Sequence, residues 1–147
     1  MKKSKLLLYW LPVVIMMAVI FAFSHQSAEG SQNLSDSLLT NIFNVTDITI
    51  IISLVFRKFA HISEYTLLSF LSANAFRNSG ERLWAISSVI LTLFYACTDE
   101  VHQRFIPGRT GRTYDVFIDL SGAVIGILIY WLIIRYRSNK HGKNQTV

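Results

Sequence analysis

Charged residues are scarce in this chain of 147 residues: they make up 16% of it, while hydrophobic residues make up 52%. That balance excludes an ordinary soluble domain, in which about a quarter of the residues carry charge, and the length favours one domain over 1–147. Cysteine is nearly absent. Because Cys97 stands alone, no disulfide can form within the chain and no thiolate metal cluster is indicated. The basic residues form no single patch, which excludes nucleic acid as a partner.

Long apolar runs stand where charge is missing. A bilayer core of about 30 Å needs about 20 apolar residues in a helix, and the chain offers three plain runs and one interrupted run. The sequence therefore predicts an all-α integral membrane bundle of four transmembrane helices at 6–23, 60–76, 83–98 and 116–134. The first run exceeds a signal-peptide core and lacks a small-x-small cleavage site, so we interpret it as a retained helix.

Two further segments lie between the first and second spans. Residues 24–45 are polar but carry an apolar stripe at helical spacing, which predicts a short amphipathic helix at the membrane surface; the stripe is Leu34, Leu38, Ile42 and Phe43. Residues 48–56 are apolar but too short to span alone. They either form an interfacial piece or continue into the second span as one long helix.

The distribution of Lys and Arg predicts the orientation of the bundle. With four spans, both termini and the loop between spans two and three share a side, which holds nine bases and one acid. The other side holds five bases and eight acids. We therefore expect a multi-pass protein of the cell membrane with both termini in the cytoplasm.

This topology brings ionisable residues from three spans to the outer face. Span two begins there, span three ends there and span four begins there, and each delivers a polar stripe with helical i, i+4, i+7 spacing. The stripes are Arg57, His61 and Glu64, then Tyr95, Asp99 and His102, then Asp115, Asp119 and Gly122. Charge within a membrane helix costs about 2.5 to 3.5 kcal/mol per residue on insertion scales, so the stripes should face protein or water. We interpret Gly122 and Gly126 as a helix-packing motif.

Histidine suits a general base because its ordinary pKa of about 6.5 lies near working pH, and a carboxylate such as Asp99 would orient it. The candidate catalytic residues are His61, Glu64, Asp99 and His102. The candidate ligand-binding residues are Tyr65, Glu100, Gln103, Arg109, Asp115 and Asp119. Two histidines with several carboxylates also suit a divalent ion, but no His-Glu-x-x-His element favours one, so metal and cofactor stay open.

Several motifs together resemble the VanZ-like membrane proteins. They are Phe23-Ser24-His25-Gln26-Ser27, Lys58-Phe59-Ala60-His61-Ile62-Ser63-Glu64-Tyr65, Thr98-Asp99-Glu100-Val101-His102-Gln103 with Phe105-Ile106-Pro107-Gly108-Arg109, and Asp115-Val116 followed by Gly122. The resemblance covers nearly the whole chain from span one to span four. It implies a bacterial cell-envelope protein of the type associated with low-level resistance to the glycopeptide teicoplanin, and it supplies no mechanism.

Three hypotheses of function stay open on the sequence. The polar layer recognises a lipid-linked envelope precursor, a lipid headgroup or a glycopeptide, or it catalyses a hydrolase or transferase reaction on an envelope lipid. In the third hypothesis the polar groups satisfy one another and only fix the helix register. Membrane lipids are the expected surroundings in every case, and the oligomeric state is left open.

Overall fold

The computed structural model describes residues 3–25, 48–106 and 113–143. These residues form four α-helices, which confirms the predicted all-α class: α1 (Lys3–Ser24), α2 (Ile48–Asn78), α3 (Trp84–Gln103) and α4 (Thr113–Lys143). The amphipathic helix expected over residues 24–45 lies outside the described ranges, apart from residues 24 and 25 at the end of α1.

Three of the four helices are long and apolar enough to cross a membrane, over Leu6–Ser24, Trp84–Gln103 and Tyr114–Lys140. Pro12 lies inside α1 without ending it, as membrane helices allow when neighbours satisfy the freed carbonyl. The remaining helix, α2, is not among the three. Polar residues such as His61, Glu64 and Asn74 interrupt its apolar sequence.

The helices extend beyond the predicted spans. Residues 48–56 continue into α2 as one helix of 31 residues, so they are not a separate interfacial piece. The predicted end of span three at residue 98 was wrong, because α3 continues to Gln103 and carries Asp99 and Glu100 on its last turns. The chain has neither glycine nor proline between Asp99 and Pro107, so nothing in the backbone ends the helix earlier. The last helix, α4, likewise continues beyond the predicted end of span four at residue 134, to Lys143.

A glycine turn ends α2 and redirects the chain into α3. Gly80 has φ of 86°, a left-handed conformation that glycine adopts without a Cβ penalty. The Glu81 amide donates to Phe76 O at 3.1 Å and the Gly80 amide donates to Arg77 O at 3.1 Å. These two bonds are the Schellman motif, which satisfies the last carbonyls of a helix.

The burial pattern reverses that of a soluble protein. Large apolar side chains face outward along the helices, with Phe94 and Leu8 each 69% exposed. Small and polar side chains fill the interior, among them Ser69, Ser72 and Ser88. In lipid the tails are as apolar as leucine, so helices associate through small residues and hydrogen bonds instead of through apolar burial.

Helix α2 lies at the centre and packs against all three other helices, most extensively against α4. The two backbones approach closely at Gly122 and Gly126, where a Cβ atom would overlap the Ile62 and Thr66 carbonyl oxygens. Two hydroxyls of α2 cross this seam: Thr66 donates to Gly122 O at 3.0 Å and Ser69 donates to Ala123 O at 2.7 Å. The predicted packing role of the two glycines is thus confirmed, with α2 as the partner.

The seam makes Gly126 sensitive to a single methyl group. Alanine in place of glycine ordinarily stabilises a helix by about 1 kcal/mol. Gly126→Ala should instead lower the free energy of unfolding by about 1 to 3 kcal/mol, because the methyl group overpacks against the Thr66 carbonyl. Unfolding in mixed detergent and SDS measures the change. Val124→Leu, on the exposed face of the same helix, is the control and should change stability by less than about 0.5 kcal/mol. A Gly126→Ala protein as stable as the wild type would contradict the seam.

Candidate functional site

The acidic end of the bundle is the end at which α1 and α3 finish and the acidic part of α4 begins. Here α1 and α3 are joined by a buried triangle of polar side chains. The Ser24 hydroxyl donates to Asp99 Oδ2 at 2.8 Å, and Gln103 Nε2 donates to the same oxygen at 2.8 Å and to Ser24 Oγ at 3.3 Å. Asp99 and Gln103 share one face because they lie four residues apart on α3. The carboxylate is therefore held in one orientation by donors from two helices.

Two histidines pair beside this triangle. His25 Nδ1 lies 3.2 Å from His102 Nε2, and the two rings stack with centroids 5.4 Å apart. Phe21 covers the His102 ring at 4.7 Å. One nitrogen donates and the other accepts, so the accepting nitrogen carries no proton. The structure thus pairs His102 with an imidazole, and Asp99, expected to orient it, bonds Ser24 and Gln103 instead.

A third imidazole, that of His61, lies beside a carboxylate between α2 and α4. His61 Nδ1 lies 3.7 Å from Asp119 Oδ1, and the Asp119 side chain is only 2% exposed. The His61 ring lies nearly parallel to the Tyr65 ring, at 11° and 6.4 Å between centroids. The i, i+4 spacing of His61 and Tyr65 puts both rings on one side of α2. Tyr65 also belongs to the buried core cluster with Ile20 of α1 and Ala96 of α3.

The Tyr65 hydroxyl is the one phenolic oxygen that is buried without a hydrogen bond among the described residues. The side chain is 0% exposed, and the charges of Asp99, Asp119 and Glu64 act on it. Nearby Tyr95, by contrast, donates to the Met17 carbonyl of α1. A buried hydroxyl without a hydrogen bond costs about 1 to 3 kcal/mol. The Tyr65 hydroxyl therefore lowers the stability of the fold.

The structure brings most of the predicted site residues into one layer. The carboxylates of Asp99, Glu100, Asp115 and Glu64 lie close enough for their charges to act on Asp119. They come from α2, α3 and α4, as the topology predicted. Glu64 is half-buried and Glu100 is buried, and both make contacts of their own. Arg109 lies outside the described residues.

Ser24 was not among the candidate site residues, although it stands in the motif that carries the family resemblance. A serine that follows an apolar run ordinarily faces the membrane surface, so its position did not indicate a bond to Asp99. His25 stood in the motif that carried the family resemblance, but its pairing with His102 depends on how α1 and α3 are rotated. Within the described ranges, no three side chains of His, Cys, Asp or Glu are arranged to hold a metal ion.

Comparison with known proteins gives one match. The family model described as VanZ/LLP1 matches residues 9–135, which include every described side chain of the acidic end. This agrees with the resemblance seen in the motifs. No match was found among curated proteins or among solved structures.

The bond between Ser24 and Asp99 should be measurable as a coupling between α1 and α3. In a double-mutant cycle of Ser24→Ala and Asp99→Ala, unfolding in SDS should give a coupling energy of about 1 kcal/mol, the range found for hydrogen bonds between membrane helices. Thr98→Ala is the matched control, because the Thr98 hydroxyl donates to Tyr95 O within its own helix. In a second cycle of Ser24→Ala and Thr98→Ala, the changes in the free energy of unfolding should be additive. Additivity in both cycles would show that the buried triangle does not hold the helices together.

Proposed function

The chain is a multi-pass membrane protein that belongs to the VanZ/LLP1 family, and on that premise we propose that it is a four-span receptor of the bacterial cell envelope. Its termini lie in the cytoplasm and its acidic end faces outward. There the buried polar layer recognises the polar part of a lipid-linked or free envelope ligand, with glycopeptides of the teicoplanin type among the candidates.

The length and surroundings of α2 support a fourth crossing. At 1.5 Å per residue, 31 residues extend about 46 Å, which exceeds a bilayer core of about 30 Å. Its polar side chains are sheltered by three neighbours, so they need not face lipid. A crossing by α2 also collects Arg77, Arg82 and Arg135 on the side of the termini, as the preference of basic residues for the cytoplasm requires.

The Tyr65 hydroxyl is the observation that carries the proposal of a ligand. Ser24, Asp99 and Gln103 bond one another, whereas the Tyr65 hydroxyl is buried without a hydrogen bond among the described residues, as is the Thr92 hydroxyl. The Tyr65 hydroxyl lies within the influence of Asp99 and Asp119. Carboxylates accept hydrogen bonds and a phenol both donates and accepts, so the layer suits a ligand rich in hydroxyl or amino groups, such as a sugar or an amino sugar.

The pair of His61 and Asp119 favours a second candidate function. His61 lies 3.7 Å from the buried Asp119 carboxylate. Closing to hydrogen-bond distance when substrate binds would give the arrangement that orients a general base. In this alternative the protein is a hydrolase or transferase that acts on an envelope lipid, with His61 removing a proton from the attacking group and Asp119 stabilising the imidazolium. Conversion of substrate distinguishes the two functions.

The topology can be tested by labelling single cysteines in a Cys97→Ser background. A membrane-impermeant maleimide added outside intact cells should label Lys58→Cys and Phe105→Cys, whose positions are exposed. Arg82→Cys should react only after the membrane is opened. Labelling of Arg82→Cys and Lys58→Cys from the same side would show that α2 does not cross.

Tyr65→Phe separates ligand recognition from folding. Removal of an unpaired buried hydroxyl should leave the free energy of unfolding unchanged or raise it by about 1 kcal/mol. Binding of a polyprenyl-linked peptidoglycan precursor by the purified protein in nanodiscs should weaken about fivefold to tenfold, as for a lost hydrogen bond of about 1 kcal/mol, and any teicoplanin resistance conferred on host cells should fall with it.

The matched control is Tyr95→Phe, whose hydroxyl bonds the Met17 carbonyl. It should lower stability and leave precursor binding by the folded fraction unchanged. Full binding and resistance in Tyr65→Phe at equal membrane abundance would contradict a role of this hydroxyl in recognition. Release of a cleaved product by the wild type, lost in His61→Gln, would replace the receptor with the enzyme.

A further inference from the structure

A cavity of about 450 Å³ lies at the opposite end of the bundle, between α1, α2 and α4. None of the candidate site residues line it. Tyr9 of α1 closes one side, and the polar lining comes from α2 and α4: Asn74, Arg77 and Asn78, then Tyr130, Arg137 and Ser138. Two isoleucines, Ile133 and Ile134, supply its apolar lining.

Two of the residues that line this cavity, Arg77 and Arg137, carry positive charge. Within the described ranges, neither Arg77 nor Arg137 lies in an ion pair with a carboxylate. Glu81 is the only acid in the sequence between Glu64 and Asp99, and its carboxylate accepts from the Leu83 amide at 3.1 Å. A cavity with two guanidinium groups and no carboxylate in its lining selects an anion.

The wall behind the arginines is held by hydrogen bonds. Asn74 Oδ1 accepts from Asn78 Nδ2 at 2.9 Å and from the Tyr130 hydroxyl at 3.2 Å. Tyr130 is also packed edge-on against Trp84, with centroids 5.4 Å apart. The lining side chains of α2 and α4 are thus fixed to each other, which reduces the ordering needed when a ligand binds.

The cavity lies at the depth of lipid headgroups. Tyr9 is three residues inside the start of the Leu6–Ser24 span, and Tyr130 is followed by Trp131, whose ring lies 5.0 Å below the Arg135 guanidinium. Trp10 packs on Phe76 at 4.9 Å at this same end. Tryptophan and tyrosine concentrate where the hydrocarbon core meets the headgroups.

We propose that this cavity binds the phosphoryl headgroup of an anionic membrane lipid. A phosphate has the oxygen geometry that two guanidinium forks bind with paired N–H bonds, and basic pockets between membrane helices bind such headgroups. Ile133 and Ile134 would contact the glycerol and the first carbons of the acyl chains. The proposal depends on neither the acidic end nor its ligand.

The tryptophans provide the readout, because Trp10, Trp84 and Trp131 are the only three in the sequence and all lie at this end. The full-length protein is placed in two sets of vesicles that mix phosphatidylcholine with phosphatidylglycerol. Only the phosphatidylglycerol is brominated in the first set, and only the phosphatidylcholine in the second. Brominated chains quench tryptophans beside them. The wild type should show stronger quenching by the anionic lipid, and Arg77→Gln with Arg137→Gln should lower that preference on the order of tenfold.

Arg82→Gln with Lys140→Gln is the matched control, because it removes two charges at the same end without touching the cavity lining. It should keep the preference, whereas equal loss in both double variants would replace the site with a general basic surface. Ser138→Phe keeps both arginines but fills the cavity, and it should lower the preference as well. Absence of any preference in the wild type would overturn the proposal. Displacement of the anionic lipid by millimolar glycerol 3-phosphate would assign the cavity to a soluble phosphate ester instead.

Discussion

The close approach of α2 and α4 at Gly122 and Gly126 is the constraint on which the rest of the structure depends. A membrane offers no apolar driving force between helices, so association requires backbones near enough for dispersion contacts and hydrogen bonds. The glycines allow that distance, and the hydroxyls of Thr66 and Ser69 use it to reach carbonyls of α4. Together they fix both rotation and register along the seam. Asp119, one turn before Gly122, is thereby directed at His61.

The same seam explains how so polar a helix as α2 can lie inside a membrane protein. Its buried positions are largely small or hydroxyl-bearing. Its ionisable residues stand near the acidic end, except Arg77 in its last turn. An ionisable group in hydrocarbon is costly unless it faces protein or water, and the three surrounding helices provide that shelter. The apolar surface that lipid requires is supplied mainly by α1, α3 and α4, which are the three helices apolar enough to span by composition. The central position of α2 thus allows it to be polar, and the outer positions of the other three helices require them to be apolar.

Much of this architecture could be predicted from the sequence. The long apolar runs predicted the helices. Because successive spans cross in opposite directions, the topology predicted that Asp99 and Asp119 lie at the same end. What the sequence could not specify was rotation about each helix axis, which decides whether His102 meets Asp99 or His25. That choice depends on packing between α1 and α3, which are 75 or more residues apart where they touch. Ser24 was not predicted as a site residue for the same reason, since a lone serine at the end of an apolar run has no periodic signal.

Under the proposed function, the polar residues at the acidic end do more than fix the helix register. If register were their only role, every buried polar atom among them should find a partner, because each unpaired one destabilises the fold. The hydrogen bonds at Ser24 and His25 satisfy that condition. The Tyr65 hydroxyl does not, and neither does the Thr92 hydroxyl farther along α3. Phenylalanine would fill nearly the same volume on α2 without the penalty. The proposed function accounts for this buried hydroxyl of Tyr65, which lowers the stability of the fold, by a ligand that it binds.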